Sequence, residues 1–107
     1  MAVDNPNVID FIGTDKETNE VILSISDHLD WANVPNHLEV LQSKINGYIS
    51  FIESGEIYEI YKAAKNGDII IEVIGKFDLP LVAIDFYNQA NTILVNVKTK
   101  LRFKFFK

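Results

Sequence analysis

The stretch "IIIEVIGKF", residues 69–77, decides how the sheet of this chain is built. Ile69, Ile71 and Val73 fall on one face of an extended segment, while Ile70 and Ile74 make the other face partly apolar. Side chains of a strand alternate between faces, so apolar residues on both sides suit a central strand covered by a helix on one side. The flanks support this. Asn66-Gly67-Asp68 is a turn signal. Asp78-Leu79-Pro80 reads as a helix start, with Asp78 as cap and a proline tolerated in the first turn.

Working outward towards the amino terminus, residues 20–26 alternate, with Val21, Leu23 and Ile25 on one face. Val8 to Ile12 reads as a shorter strand, and the polar residues 13–19 join the two as an antiparallel hairpin. A helix then opens at Asn36, with Glu39 in the capping-box position. Leu38, Leu41, Ile45, Tyr48, Ile49 and Ile52 form its apolar stripe, and Ser54-Gly55 its stop. Residues 56–68 leave open another helical turn or two. Towards the carboxyl terminus, Ala83, Phe86, Tyr87, Ala90, Ile93, Leu94 and Val97 recur at helical spacing. The β-branched residues of 92–97 leave open whether that stretch ends the helix or begins a strand. Thr99 to Phe105 alternates as a last strand, with Leu101, Phe103 and Phe105 inward and Lys100, Arg102 and Lys104 outward.

The predicted order is β-β-α-β-α-β in a single α+β domain spanning residues 1–107. The expected fold is a two-layer sandwich: a four-stranded, mostly antiparallel sheet covered by two helices. The strand–helix–strand connections leave parallel pairs open. The expected core holds Leu23, Ile25, Leu41, Ile45, Ile49, Ile71, Val73, Phe86 and Phe103.

Composition narrows the chemistry. The chain has no cysteine, which removes disulfides, thiolate metal sites and cysteine nucleophiles. Its 48% hydrophobic and 23% charged residues are ordinary globular usage. The amino terminus lacks the basic and apolar runs of a signal peptide, and no stretch reaches the roughly 18 apolar residues of a spanning helix. A cytoplasmic protein with no membrane association is therefore expected. Net charge is −5, yet all fifteen acids lie at or before Asp85, and the last ten residues hold five bases and no acid. An acidic body steers basic partners and opposes a phosphate backbone.

The densest group of potential catalytic or ligating residues follows the second strand, in "SISDHLDW", residues 24–31. Asp27, His28, Asp30 and His37 carry oxygen and nitrogen donors suited to a metal-dependent or hydrolytic site. Their spacing matches no metal motif. Aspartates also close turns on their own backbone, and Trp31 is expected to pack under the helix, so the structural reading is preferred. No phosphate-binding glycine loop or serine elbow is present; the glycines at 13, 47, 55, 67 and 75 are dispersed.

The stretches "IDFIGTDKETNEVILSISDHLDW" and "HLEVLQSKINGYISFIESGEI" resemble a family of small uncharacterised bacterial proteins of about a hundred residues, a domain of unknown function. The resemblance covers most of the first sixty residues; beyond them only the element pattern matches. It implies a bacterial source and this α+β order, and lends no activity. In similar proteins the second helix ends at glycine before the last strand, where this chain has Asn96-Val97-Lys98-Thr99.

The functional expectation is a non-enzymatic protein-binding module, of immunity or regulatory type, whose partner presents a basic surface. Trp31, Tyr58, His28 and Asp30 are the candidate binding residues, with no catalytic residue, metal ligand or cofactor assigned. A homodimer is compatible with this reading. Nucleic acid is not expected, because Phe103 and Phe105 point opposite to Arg102 and Lys104 and a stacking platform needs exposed rings. The alternative is a small enzyme built on Asp27, His28, Asp30 and His37.

Overall fold

The structure, a computed structural model, describes Val3 and residues 9–106. Four strands form one sheet in sequence order: β1 (Phe11–Thr14), β2 (Val21–Asp27), β3 (Ile69–Gly75) and β4 (Thr99–Phe105). Three helices accompany them: α1 (Val34–Glu53), α2 (Glu56–Ile60) and α3 (Leu81–Leu94). Short 3-10 turns at Lys62–Asn66 and Val95–Val97 lead into β3 and β4. The first strand thus begins later than expected, and Val8 lies outside the described residues.

The sheet is mixed, which corrects the mostly antiparallel expectation. Only β1 and β2 run antiparallel; β2–β3 and β3–β4 are parallel. The reason lies in the connectors. A seven-residue strand is about 23 Å long. α1, with 20 residues, runs about 30 Å, and α3, with 14, about 21 Å. Each helix spans at least most of the sheet's height and returns the chain to the end where the previous strand began. The third helix also departs from the expected two. Ser54 closes α1 and Gly55, at φ 81°, takes the left-handed conformation that starts α2.

Two helices start a few residues away from the expected caps. Asn33, not Asn36, caps α1; its side chain accepts a hydrogen bond from the Asn36 N–H at 3.2 Å, and proline follows in the first turn. α3 begins after Pro80, and the 92–97 region ends it: helix to Leu94, then one 3-10 turn. Lys98 follows at φ 56°, in the left-handed region that glycine adopts without strain.

All three helices pack on one sheet face. Val21, Leu23, Ile25, Ile71, Val73 and Leu101 meet Leu41, Ile45 and Tyr48 of α1, Ile57 of α2, and Tyr87 and Leu94 of α3 in one core. Ile49, Phe86 and Phe103 pack half-buried against it. β4 is an edge strand, and its outer backbone is partly covered. The Asn91 side-chain amide accepts from the Leu101 N–H at 2.8 Å and donates to the Leu101 carbonyl at 2.9 Å. It thereby acts as a one-residue substitute for a fifth strand.

Candidate site at the carboxyl ends of the parallel strands

β2 and β3 end side by side, with Asp27 opposite Gly75. In open sheets with parallel strands this carboxyl end is the usual place for a ligand. The segment leaving β2 must turn there into α1, and its aspartates make the turn. Asp27 Oδ1 accepts from the Leu29 N–H at 3.1 Å, and Asp30 Oδ1 from the Ala32 N–H at 3.1 Å. The turn-closing role expected of both is present.

The fold also joins Asp27 to His37. His37 Nε2 and Asp27 Oδ2 lie 2.6 Å apart, and both side chains are almost fully buried. His37 Nδ1 sits 2.8 Å from the Asp30 carbonyl. A carbonyl can only accept, so Nδ1 carries a hydrogen. Nε2 and Oδ2 then make a buried hydrogen bond between the two side chains. Trp31 stacks on the His37 ring, with centroids 3.6 Å apart and planes inclined by 16°. The tryptophan expected under the helix is therefore a lid on a buried histidine.

Of the four residues in the proposed enzymatic cluster, Asp27 and His37 come together through their side chains. Asp30 joins them through its carbonyl. His28 is exposed on the rim. Among the described residues no group of three or more acidic, histidine or cysteine side chains is placed to hold a metal. His28, Asp30, Asn33, Asn36, Lys76 and Phe77 surround a cleft of about 360 Å³ above the pair. Tyr58 does not join them: α1 separates Trp31 from it by the helix's full length.

A second buried network was not visible in the sequence. Lys44 is 0% exposed, and its Nζ lies 2.8 Å from Asp10 Oδ1. Tyr48 donates to the Ser24 carbonyl at 2.7 Å and accepts from the Asp10 N–H at 2.9 Å. Asp10 Oδ2 accepts from the Ser26 N–H at 3.2 Å. The available signal was the spacing of His37, Leu41, Lys44 and Tyr48, which places all four on one helical face. Burial raises the Tyr48 hydroxyl well above the usual phenol range, partly offset by the Asp10 N–H bond. Burial does the same to Tyr87, and the Asp27 charge adds to it. Among the described residues, the Tyr87 hydroxyl is the one buried side-chain polar atom without a hydrogen-bond partner.

Residues 1–107 match DUF6572, a family of unknown function. The chain belongs to this family. No curated protein and no solved structure matches it. The small domain of unknown function implied by the first sixty residues is thus the whole of this DUF6572 chain. No described helix is long and apolar enough to cross a membrane.

Proposed function

We propose that the chain is a non-catalytic protein-binding module of a bacterial cytoplasm, of immunity or regulatory type, that docks a basic partner beside the carboxyl-end cleft. The observation that carries this reading is the surface at residues 77–85. Leu81 is 85% exposed, and Phe77, Val82 and Ile84 are exposed with it. Clustered exposed apolar side chains mark contact sites. Around them stand the exposed carboxylates of Asp78 and Asp85 and, across the cleft, Asp30, against the single amine of Lys76. An apolar centre with an acidic rim complements a partner with an apolar centre and a basic rim. His28 and Asp30 line the adjoining cleft and Trp31 lies beside it, so three of the four candidate binding residues flank this surface.

The Asp27–His37 pair supports the non-catalytic side of the reading. Both ring nitrogens and both carboxylate oxygens are engaged, and the ring is stacked and 1% exposed. A general base must reach a substrate proton within about 3.2 Å or through one water.

The test is retention of a partner by the tagged chain at low salt. A stoichiometric basic protein is expected with the unaltered chain and with Ile60→Ser, whose residue is also exposed, at 66%, but distant. It is expected to be lost with Leu81→Ser/Val82→Ser and released by salt, because screening shortens charge attraction to about 8–10 Å. Equal retention by the double variant, a second copy of the chain as the retained protein, or no retained protein overturns the proposal.

A further inference from the structure

The sheet face opposite the helices carries no second layer among the described elements. On it lie Phe11 of β1, Ser24 and Ser26 of β2, Ile74 of β3, and the alternating Lys100, Arg102 and Lys104 of β4. Phe11 and Phe106 are 60% and 66% exposed, and both line a concavity of about 650 Å³ floored by Ser24, Ser26 and Ile74. The expectation against nucleic acid rests on Phe103 and Phe105 facing the core; Phe103 packs half-buried against it, whereas Phe105, near the chain end, is 41% exposed. Two other rings, one at each side of the open face, provide exposed aromatic surface.

From this arrangement we propose a second binding site, which adjoins the acid-rimmed surface at His28 and Lys76: the open sheet face binds single-stranded nucleic acid. Bases stack on Phe11 and Phe106, and phosphates follow Lys76, Lys104 and Lys100. The charge of this face opposes that of the whole chain. Arg102 is occupied by Glu72, with Nε to Oε2 at 2.7 Å, and lies 3.6 Å from Glu20. That trio sums to −1, and the three lysines bring the face to +2. Asp10 and Asp27 also line the concavity, but Asp10 is paired with Lys44, and Asp27 is hydrogen-bonded to His37. Aromatic stacking tolerates any base sequence, and a groove tracking the backbone supplies attraction. A concave, partly apolar, cationic sheet with rings at both ends fits a flexible polyanion that carries its own flat rings.

The test is fluorescence anisotropy of a labelled single-stranded oligonucleotide of about eight nucleotides with the full chain at about 50 mM salt. Saturable binding is expected, weakened about fivefold or more by Phe11→Ser or Phe106→Ser, because each removes one stacking ring. Lys104→Ala is expected to reduce the salt slope by about 0.7, the loss of one phosphate contact, while Lys62→Ala on the helical side leaves it unchanged. Circular dichroism verifies that each variant is folded. Absence of saturable binding, or binding indifferent to both ring variants, overturns the proposal. So does displacement of the oligonucleotide by an acidic peptide at equal concentration, which identifies an acidic-protein site instead.

Discussion

Tyr48 and Tyr87 are both buried, both face the core from a helix, and should respond in opposite directions to the same substitution. The Tyr48 hydroxyl makes two hydrogen bonds, to the Ser24 carbonyl and from the Asp10 N–H. Tyr48→Phe removes both, at about 0.5–1.5 kcal/mol for each bond and a total loss of about 1–3 kcal/mol. The Tyr87 hydroxyl has no partner. Burying an uncompensated hydroxyl costs about 1–3 kcal/mol, so Tyr87→Phe should gain about 0.5–2 kcal/mol. Urea denaturation reads both as shifts in midpoint at constant slope. A loss above about 1 kcal/mol for Tyr87→Phe would mean that its hydroxyl is paired, and the reasoning would fail. The two residues also set an alkaline limit. Burial raises both hydroxyls above the ordinary value of 10.0, so the unfolded chain releases these protons first. The contribution is fully present below pH 10 and falls as pH rises beyond it, by up to about 1.4 kcal/mol per pH unit for each tyrosine. Tyr87→Phe should reduce that slope by one proton.

The remaining expectations are brief. Asn91→Ala uncovers the Leu101 N–H and carbonyl on the outer edge of β4, so stability should fall by about 1–3 kcal/mol and self-association should rise in sedimentation velocity. Lys98→Gly relieves a left-handed residue, and thermal denaturation should show a gain of about 0.5–1 kcal/mol; an unchanged midpoint argues against strain there. Lys44→Ala strands the Asp10 carboxylate, which has 7% side-chain exposure, and should cost about 3–5 kcal/mol, whereas Lys62→Ala should change the midpoint little.

The sequence carried the elements better than their arrangement. Val21, Leu23 and Ile25 are inward because strict alternation leaves no other choice. The direction of β3 and β4 depends on how far α1 and α3 carry the chain, a length comparison that apolar periodicity does not make. α2 was ambiguous because five residues are too few for a helical pattern to separate from a turn. At the site, the turn roles of Asp27 and Asp30 are local and were legible. The His37 contact spans ten positions, and the Lys44–Asp10 contact thirty-four, so both depend on how α1 lies across the sheet. Lys44 gives no burial signal in the sequence, because a lysine is almost never fully buried unless paired, and its partner Asp10 lies thirty-four positions away. Phe11 and Phe106 were hidden for a different reason. The first lies on the uncovered face of a short edge strand, and the second follows the last strand, where alternation no longer predicts exposure.

The most direct test of the proposed docking surface places a photo-activatable cross-linking residue at Val82 and, separately, at Ile60, in the cell of origin. Val82 and Ile60 are both exposed, one inside the acid-rimmed surface and one at the end of α2. The account predicts a single covalent adduct from position 82, containing a basic protein and lost with Asp78→Lys/Asp85→Lys, and none from position 60. An adduct of equal yield from both positions, or none from position 82 in a chain shown to be folded, would contradict it.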